Sequence, residues 1–195
     1  MKESFLFLAE GFEEIEAMTA VDLLRRAGIP LKTVSITTAL QVKGAHGISV
    51  TADTLYDNTL FSDAEWLILP GGMPGATNLY EFAPLAGLLL QHAGRSGKIA
   101  AICAAPAVVL GQLGLLKGET ATCYPGFEGQ LDGAVYKDAP VVVSGNYVLG
   151  NGPANAMLWA TAIIEQTLGR QMAVQVANGL LLYPRETEDV DNFFG

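Results

Sequence analysis

The chain has 195 residues, half of them apolar, a net charge of −9, a pI near 4.6 and a mean hydropathy of +0.33. Length and apolar content fit a single domain over residues 1–195, and the acidic balance repels phosphate backbones and anionic lipid, which argues against nucleic-acid and membrane partners. Two cysteines are too few for a secreted disulfide scaffold, and no apolar run reaches the length of a signal core or a membrane span, so the expected setting is cytoplasmic.

In chain order, short apolar runs alternate with helical periodicity, the pattern of βαβ units around a mainly parallel sheet. Ser4–Ala9 is the first expected strand. A loop carrying Gly11 leads into a helix through Arg26, with Ile15, Met18, Val21 and Leu24 on one stripe, and Gly28-Ile29-Pro30 ends it. A second strand spans Leu31–Ile36, followed by a hairpin of Gln41–Lys43 and Ile48–Thr51 turning at Gly44–Gly47. Trp66–Leu69 is the third strand, closed by Pro70-Gly71-Gly72, with a helix over Phe82–Gly94 behind it. The fourth, Ile99–Ile102, runs into Cys103 and an apolar helix over Ala104–Leu113, with Pro106 in its first turn. Thr120–Cys123 and Val141–Val143 are further strands, the latter pairing with Tyr147–Leu149; Ala154–Leu168 is a buried helix. Val174–Leu182 is ambiguous by pattern, and Arg185–Gly195 reads as an acidic, loosely held tail.

Ligands of open α/β sheets bind beyond the carboxyl ends of the strands, where strand order reverses. Three strand ends here carry unusual residues. In Ala100-Ala101-Ile102-Cys103-Ala104-Ala105-Pro106, small residues flank a cysteine at a strand-to-helix corner, as an exposed nucleophile on a sharp turn requires. A helix start there would stabilise a thiolate and lower its pKa; the competing reading is a small buried hydrophobe. In Gly11-Phe12-Glu13-Glu14-Ile15-Glu16, the macrodipole accounts for Glu13 and Glu14. Glu16 is spaced to turn inward, where desolvation and a neighbouring thiolate would keep it protonated and titrating with Cys103 as a pair. In Leu69-Pro70-Gly71-Gly72-Met73-Pro74, glycines let backbone N–H groups approach a ligand oxygen; Gly71, Gly72 and Ala104 are the candidate oxyanion donors, and a plain tight turn is the alternative. No metal or organic cofactor is expected.

These motifs together with Val21-Asp22-Leu23-Leu24-Arg25-Arg26-Ala27-Gly28 and Gly152-Pro153 occur in one order along nearly the whole chain. The sequence resembles the ThiJ/PfpI superfamily, in the branch of the Parkinson-associated DJ deglycase. The resemblance implies a flavodoxin-like three-layer sandwich, related to the class I glutamine amidotransferases, with helices on both faces of a mainly parallel sheet. It further implies a homodimer, a nucleophilic Cys103 hydrogen-bonded to a protonated Glu16, and oxyanion donors around Gly72 and Ala104. Such proteins are described as glutathione-independent glyoxalases, deglycases of early glycation adducts, oxidative-stress sensors and chaperones, or peptidases. The expected substrate is thus a small reactive aldehyde or a glycated protein.

The chain also departs from that pattern. Tyr124, in Thr122-Cys123-Tyr124-Pro125, stands where many relatives carry a histidine, and a tyrosine of ordinary pKa, about 10, is a poor base at neutral pH. That weakens the peptidase reading. His46, in the hairpin turn, occupies a position where relatives tend to have an arginine, and is a candidate contact for a substrate anion or a solvated turn residue. His92 reads as a surface residue, Arg26 as an accessory cation or simply the helix C-terminal charge, and Cys123 as a resolving thiol or a buried strand residue.

Overall fold

The computed structural model describes residues 1–182, so the expected acidic tail lies outside the described residues. Strands β1 (Ser4–Leu8), β2 (Leu31–Ser35), β5 (Thr54–Leu55), β6 (Trp66–Leu69), β7 (Lys98–Ile102), β10 (Val141–Ser144) and β11 (Tyr147–Gly150) form one seven-stranded sheet. Its order is β10-β11-β7-β6-β1-β2-β5, parallel throughout except for the β10–β11 pair. Two small ribbons stand apart from it: the hairpin β3 (Gln41–Lys43) with β4 (Ser49–Thr51), and the parallel pair β8 (Thr120–Ala121) with β9 (Val135–Tyr136).

The central strands are continuous apolar runs because both faces are covered. Leu6, Leu8, Trp66, Ile68, Ala100 and Ile102 point into one core layer; Phe5, Phe7, Leu67, Leu69, Ile99 and Ala101 point into the other. The first layer is roofed by α1 (Glu14–Arg26), α4 (Ala156–Leu168) and α5 (Arg170–Gly179). The second is roofed by α2 (Gly75–Glu81), α3 (Ala83–Gly94) and a π-helical turn, Pro106–Gly111. The result is the expected three-layer α/β sandwich of flavodoxin-like type. Helix α1 stops in a Schellman arrangement: Gly28 takes φ +76°, its N–H bonds the Arg25 carbonyl at 3.0 Å, and the Ile29 N–H bonds that of Leu24 at 3.0 Å.

Several local expectations change. The buried side of α1 is Ala17, Ala20, Leu23 and Leu24, whereas Ile15 is 57% exposed and Met18 and Val21 are only partly covered. Alanine carries little hydropathic weight, yet it is what lets α1 pack closely against the sheet and α4. The helix expected over Phe82–Gly94 is preceded by a separate α2, and the one expected over Ala104–Leu113 is a six-residue π-turn. The strand expected through Cys123 ends at Ala121 and lies off the main sheet; of the ambiguous stretch Val174–Leu182, residues 174–179 are the later part of α5 and 180–182 follow it outside the helix. His92 is 1% exposed, not on the surface: its Nε2 lies 3.1 Å from the Lys98 carbonyl, and a Cβ on Gly97 would overlap the ring.

Candidate active site

Strands β1, β6 and β7 are parallel neighbours, and the chain order reverses between β1 and β6. Their carboxyl ends therefore bring Gly11–Glu16, Gly71-Gly72 and Cys103 to one edge of the sheet, the crevice position for a ligand.

Cys103 takes φ +64°, a left-handed conformation that a side-chain-bearing residue adopts at a cost of about 1–2 kcal/mol. Both of its backbone groups are pinned: the N–H donates to the Gly150 carbonyl at 2.9 Å, and the carbonyl accepts from the Tyr124 N–H at 2.8 Å. The corner is tight. A Cβ on Gly71 would lie 2.7 Å from Cys103 Cβ and 2.9 Å from Glu16 Oε2, so only glycine fits beside the sulfur. Gly72, at φ +86°, packs directly on the Gly11–Glu13 loop, and the Glu13 N–H bonds the Gly71 carbonyl at 3.0 Å.

Glu16 does turn inward. It is fully buried, and its Oε2 accepts the Gly71 N–H at 2.7 Å. That bond corrects one expectation: the Gly71 N–H is engaged by Glu16 and is not free for an oxyanion. Oε1 is buried with no well-aligned hydrogen-bond partner, and besides Gly71 the donor acting on the carboxyl is the Cys103 thiol. Burial pushes Glu16 up to about 7, against the Gly71 N–H and the thiol; the Glu13 charge pushes the same way as burial.

The thiol differs from expectation. Burial first, then the charge and hydrogen bond of Glu16, push Cys103 up to about 12, while the N–H groups of Gly72 and Ala104 pull the other way. A helix start does not overcome that, because Cys103 is only 8% exposed and faces a carboxylate. The two groups titrate as one pair whose first proton leaves near neutrality, and the proton's location decides which member is the anion. Gly71 favours charge on Glu16; Gly72 and Ala104 favour charge on sulfur.

Among the accessory candidates, Tyr124 lies beside the corner through its backbone bond to Cys103. Its side chain is partly exposed, next to Gly152 and edge-on to Phe127 at 6.5 Å. Arg26 does not belong to the site: its Nε pairs with Asp22 at 2.6 Å, ten residues and about 15 Å along α1 from Glu16. His46 Nδ1 lies 2.9 Å from Glu14 Oε2, so the imidazole is engaged by carboxylates of its own chain rather than left free for a substrate anion. Cys123 is buried, its thiol pushed up to about 12 by burial and then by the Glu128 charge.

The macrodipole is not the whole account of Glu14. Burial pushes this carboxyl up, but the His46 hydrogen bond and the N–H groups of Glu14, His46 and Ile48 outweigh it and hold the group below its usual range. Its Oε1 accepts the N–H of His46 at 2.8 Å and of Ile48 at 3.3 Å, which fastens the hairpin turn to α1. Gly44 makes this possible, since a Cβ there would overlap the carboxylate. Adjacent glutamates at a helix start are too common for sequence to single this one out; the His in a Gly-bounded turn was the available signal.

The chain is similar in sequence and in fold to known proteins. The chain is 34% identical over 189 residues to DJ-1 homolog B of Arabidopsis thaliana, covering 96% of this chain but only 43% of that longer protein. It is 30% identical over 168 residues to a deglycase of Pyrococcus horikoshii, covering 85% of this chain and 98% of the relative. The structure of oxidised DJ-1 from Toxoplasma gondii superposes with a TM-score of 0.90 at 36% identity, over 94% of this chain and 100% of that one. The profile of the DJ-1/PfpI family matches residues 2–166, and the chain belongs to that family.

Proposed function

We propose that the chain is a cysteine-dependent enzyme of glyoxalase or deglycase type, acting on small reactive aldehydes or their early protein adducts. The observation that carries this is the pinned left-handed Cys103 facing a buried carboxyl with an unpaired oxygen and the N–H groups of Gly72 and Ala104. The sulfur adds to the aldehyde carbon of a 2-oxoaldehyde, and the carbonyl oxygen takes up a proton to give a hemithioacetal. Glu16 removes the proton from that carbon and returns it to the neighbouring one, converting the adduct to a 2-hydroxy thioester. Water then cleaves the thioester, releasing the hydroxy acid and regenerating the thiol; no external oxidant or reductant is consumed. The raised pKa of Glu16, about 7, suits a group that must both take and give a proton at neutral pH. Cys103→Ala abolishes lactate formation from methylglyoxal if this is right; turnover surviving that change refutes it. The deglycase named among the relatives supports the same class of chemistry.

A second reading, a redox-responsive stress protein or chaperone, is favoured by the same unpaired Glu16 oxygen, which as a protonated carboxyl donates a short hydrogen bond to a cysteine sulfinate. Here Glu16→Gln alters the oxidation state recovered after mild peroxide, by mass spectrometry, while aldehyde turnover is nil in both proteins. The peptidase reading lacks a Cys–His pair, since neither histidine bonds Cys103: His46 is hydrogen-bonded to Glu14 and His92 to the Lys98 carbonyl. We place the protein in the cytoplasm as a homodimer built on the exposed Ile15 side of α1; no helix among the described residues is long and apolar enough to cross a membrane. A monomer at micromolar concentration by sedimentation refutes the dimer.

A further inference from the structure

Next to the Cys103 corner, the hairpin turn and the start of α1 build a second cluster that the proposed reaction does not use. Glu13 and Glu14 are 8% and 6% exposed, adjacent in sequence, and converge on the side chain of His46. Glu14 Oε1 is held by the hairpin N–H groups, which fixes the carboxylate and leaves Oε2 directed at His46 Nδ1, 2.9 Å away. Glu13 Oε2 lies 3.6 Å from the same nitrogen, and the Glu13 carboxylate receives no hydrogen bond among the described residues. Two carboxylates converging on one imidazole concentrate negative charge that a bound cation offsets.

The three ligand atoms all lie within 4.8 Å of one another. A tetrahedral ion with bonds of about 2.0–2.1 Å spaces its ligands about 3.3 Å apart. The observed separations of 2.9 and 3.6 Å from His46 Nδ1 bracket that value, so small side-chain adjustments admit an ion between the groups. We propose that Glu13, Glu14 and His46 form a binding site for a divalent transition-metal ion of the zinc class. An imidazole with two carboxylates selects zinc, nickel or copper over magnesium and calcium. Three protein ligands leave a coordination position for water or a donor from outside the chain. This site stands independently of the chemistry assigned to Cys103.

The test is calorimetric titration of untagged protein with Zn2+, for the wild type and the Cys103→Ala, Glu13→Gln and His46→Ala variants. One equivalent binds the wild type and Cys103→Ala alike, and affinity falls at least tenfold in Glu13→Gln and in His46→Ala. Absence of binding to the wild type, affinity unchanged in either ligand variant, or loss in Cys103→Ala overturns the site. Imidazole NMR supplies a second readout, because the chain has only two histidines. Zn2+ shifts the exposed His46 ring and leaves buried His92 unmoved; the reverse pattern, or no shift at His46, is equally fatal to the proposal.

Discussion

Replacing Gly71 by alanine isolates the steric demand of the reactive corner. Gly71 is not among the glycines with positive φ, so its backbone accepts alanine without dihedral strain. An added Cβ meets Cys103 Cβ at 2.7 Å and the Ile102 carbonyl oxygen at 2.9 Å, neither of which can swing aside. Ordinary van der Waals contact begins at 3.4 Å, so β6 and β7 must part by 0.7 Å at this point. Overpacking of this kind costs about 1–3 kcal/mol of stability. A displacement approaching 1 Å at a reacting atom costs on the order of a hundredfold in rate. Urea unfolding measures the first quantity; iodoacetamide alkylation of Cys103, followed by peptide mass spectrometry, measures the second without assuming a substrate. Gly87→Ala is the counterpart: Gly87 lies inside α3 with nothing near its Cβ position, and alanine there stabilises by about 0.5–1 kcal/mol. A Gly71→Ala protein as stable as the wild type and equally reactive at Cys103 refutes the account of a corner closed by glycine.

Glu16→Gln removes the charge that helps to raise the thiol, so the alkylation profile of Cys103 moves to lower pH; an unchanged profile means that the two groups are uncoupled. The same variant tests stability against pH. The Glu16 pKa is raised on folding from 4.5 to about 7, so its contribution is fully present below 4.5 and is lost as pH rises through 7. Relative to Glu16→Gln, the wild type therefore loses up to about 3 kcal/mol across that window, read from unfolding midpoints at pH 4.5 and 8. The two histidines titrate in opposite directions: the Glu14 hydrogen bond and the Glu13 and Glu14 charges raise His46, while burial lowers His92. An NMR titration in which His92 protonates first on acidification contradicts both placements.

The parallel α/β sandwich was legible in the amino-acid order alone, because strands buried on both faces must be apolar throughout while the helices keep a period near 3.6. The corner was legible as one of two readings, since a cysteine among alanines after a short buried strand is either a nucleophile on a sharp turn or a small buried hydrophobe, and Glu16 sat at the spacing that faces it. Tertiary structure decided the rest. Hydrophobic period indicates that a face is covered but not which face wins, so α1 buried its alanines against α4 and left Ile15 exposed. His92 looked external until Gly97 and the Lys98 carbonyl enclosed it. The state of the sulfur was least readable of all. It is a sum of burial, a carboxylate 87 residues earlier in the chain and N–H groups from two strand ends, and such sums exist only once the chain has brought them together.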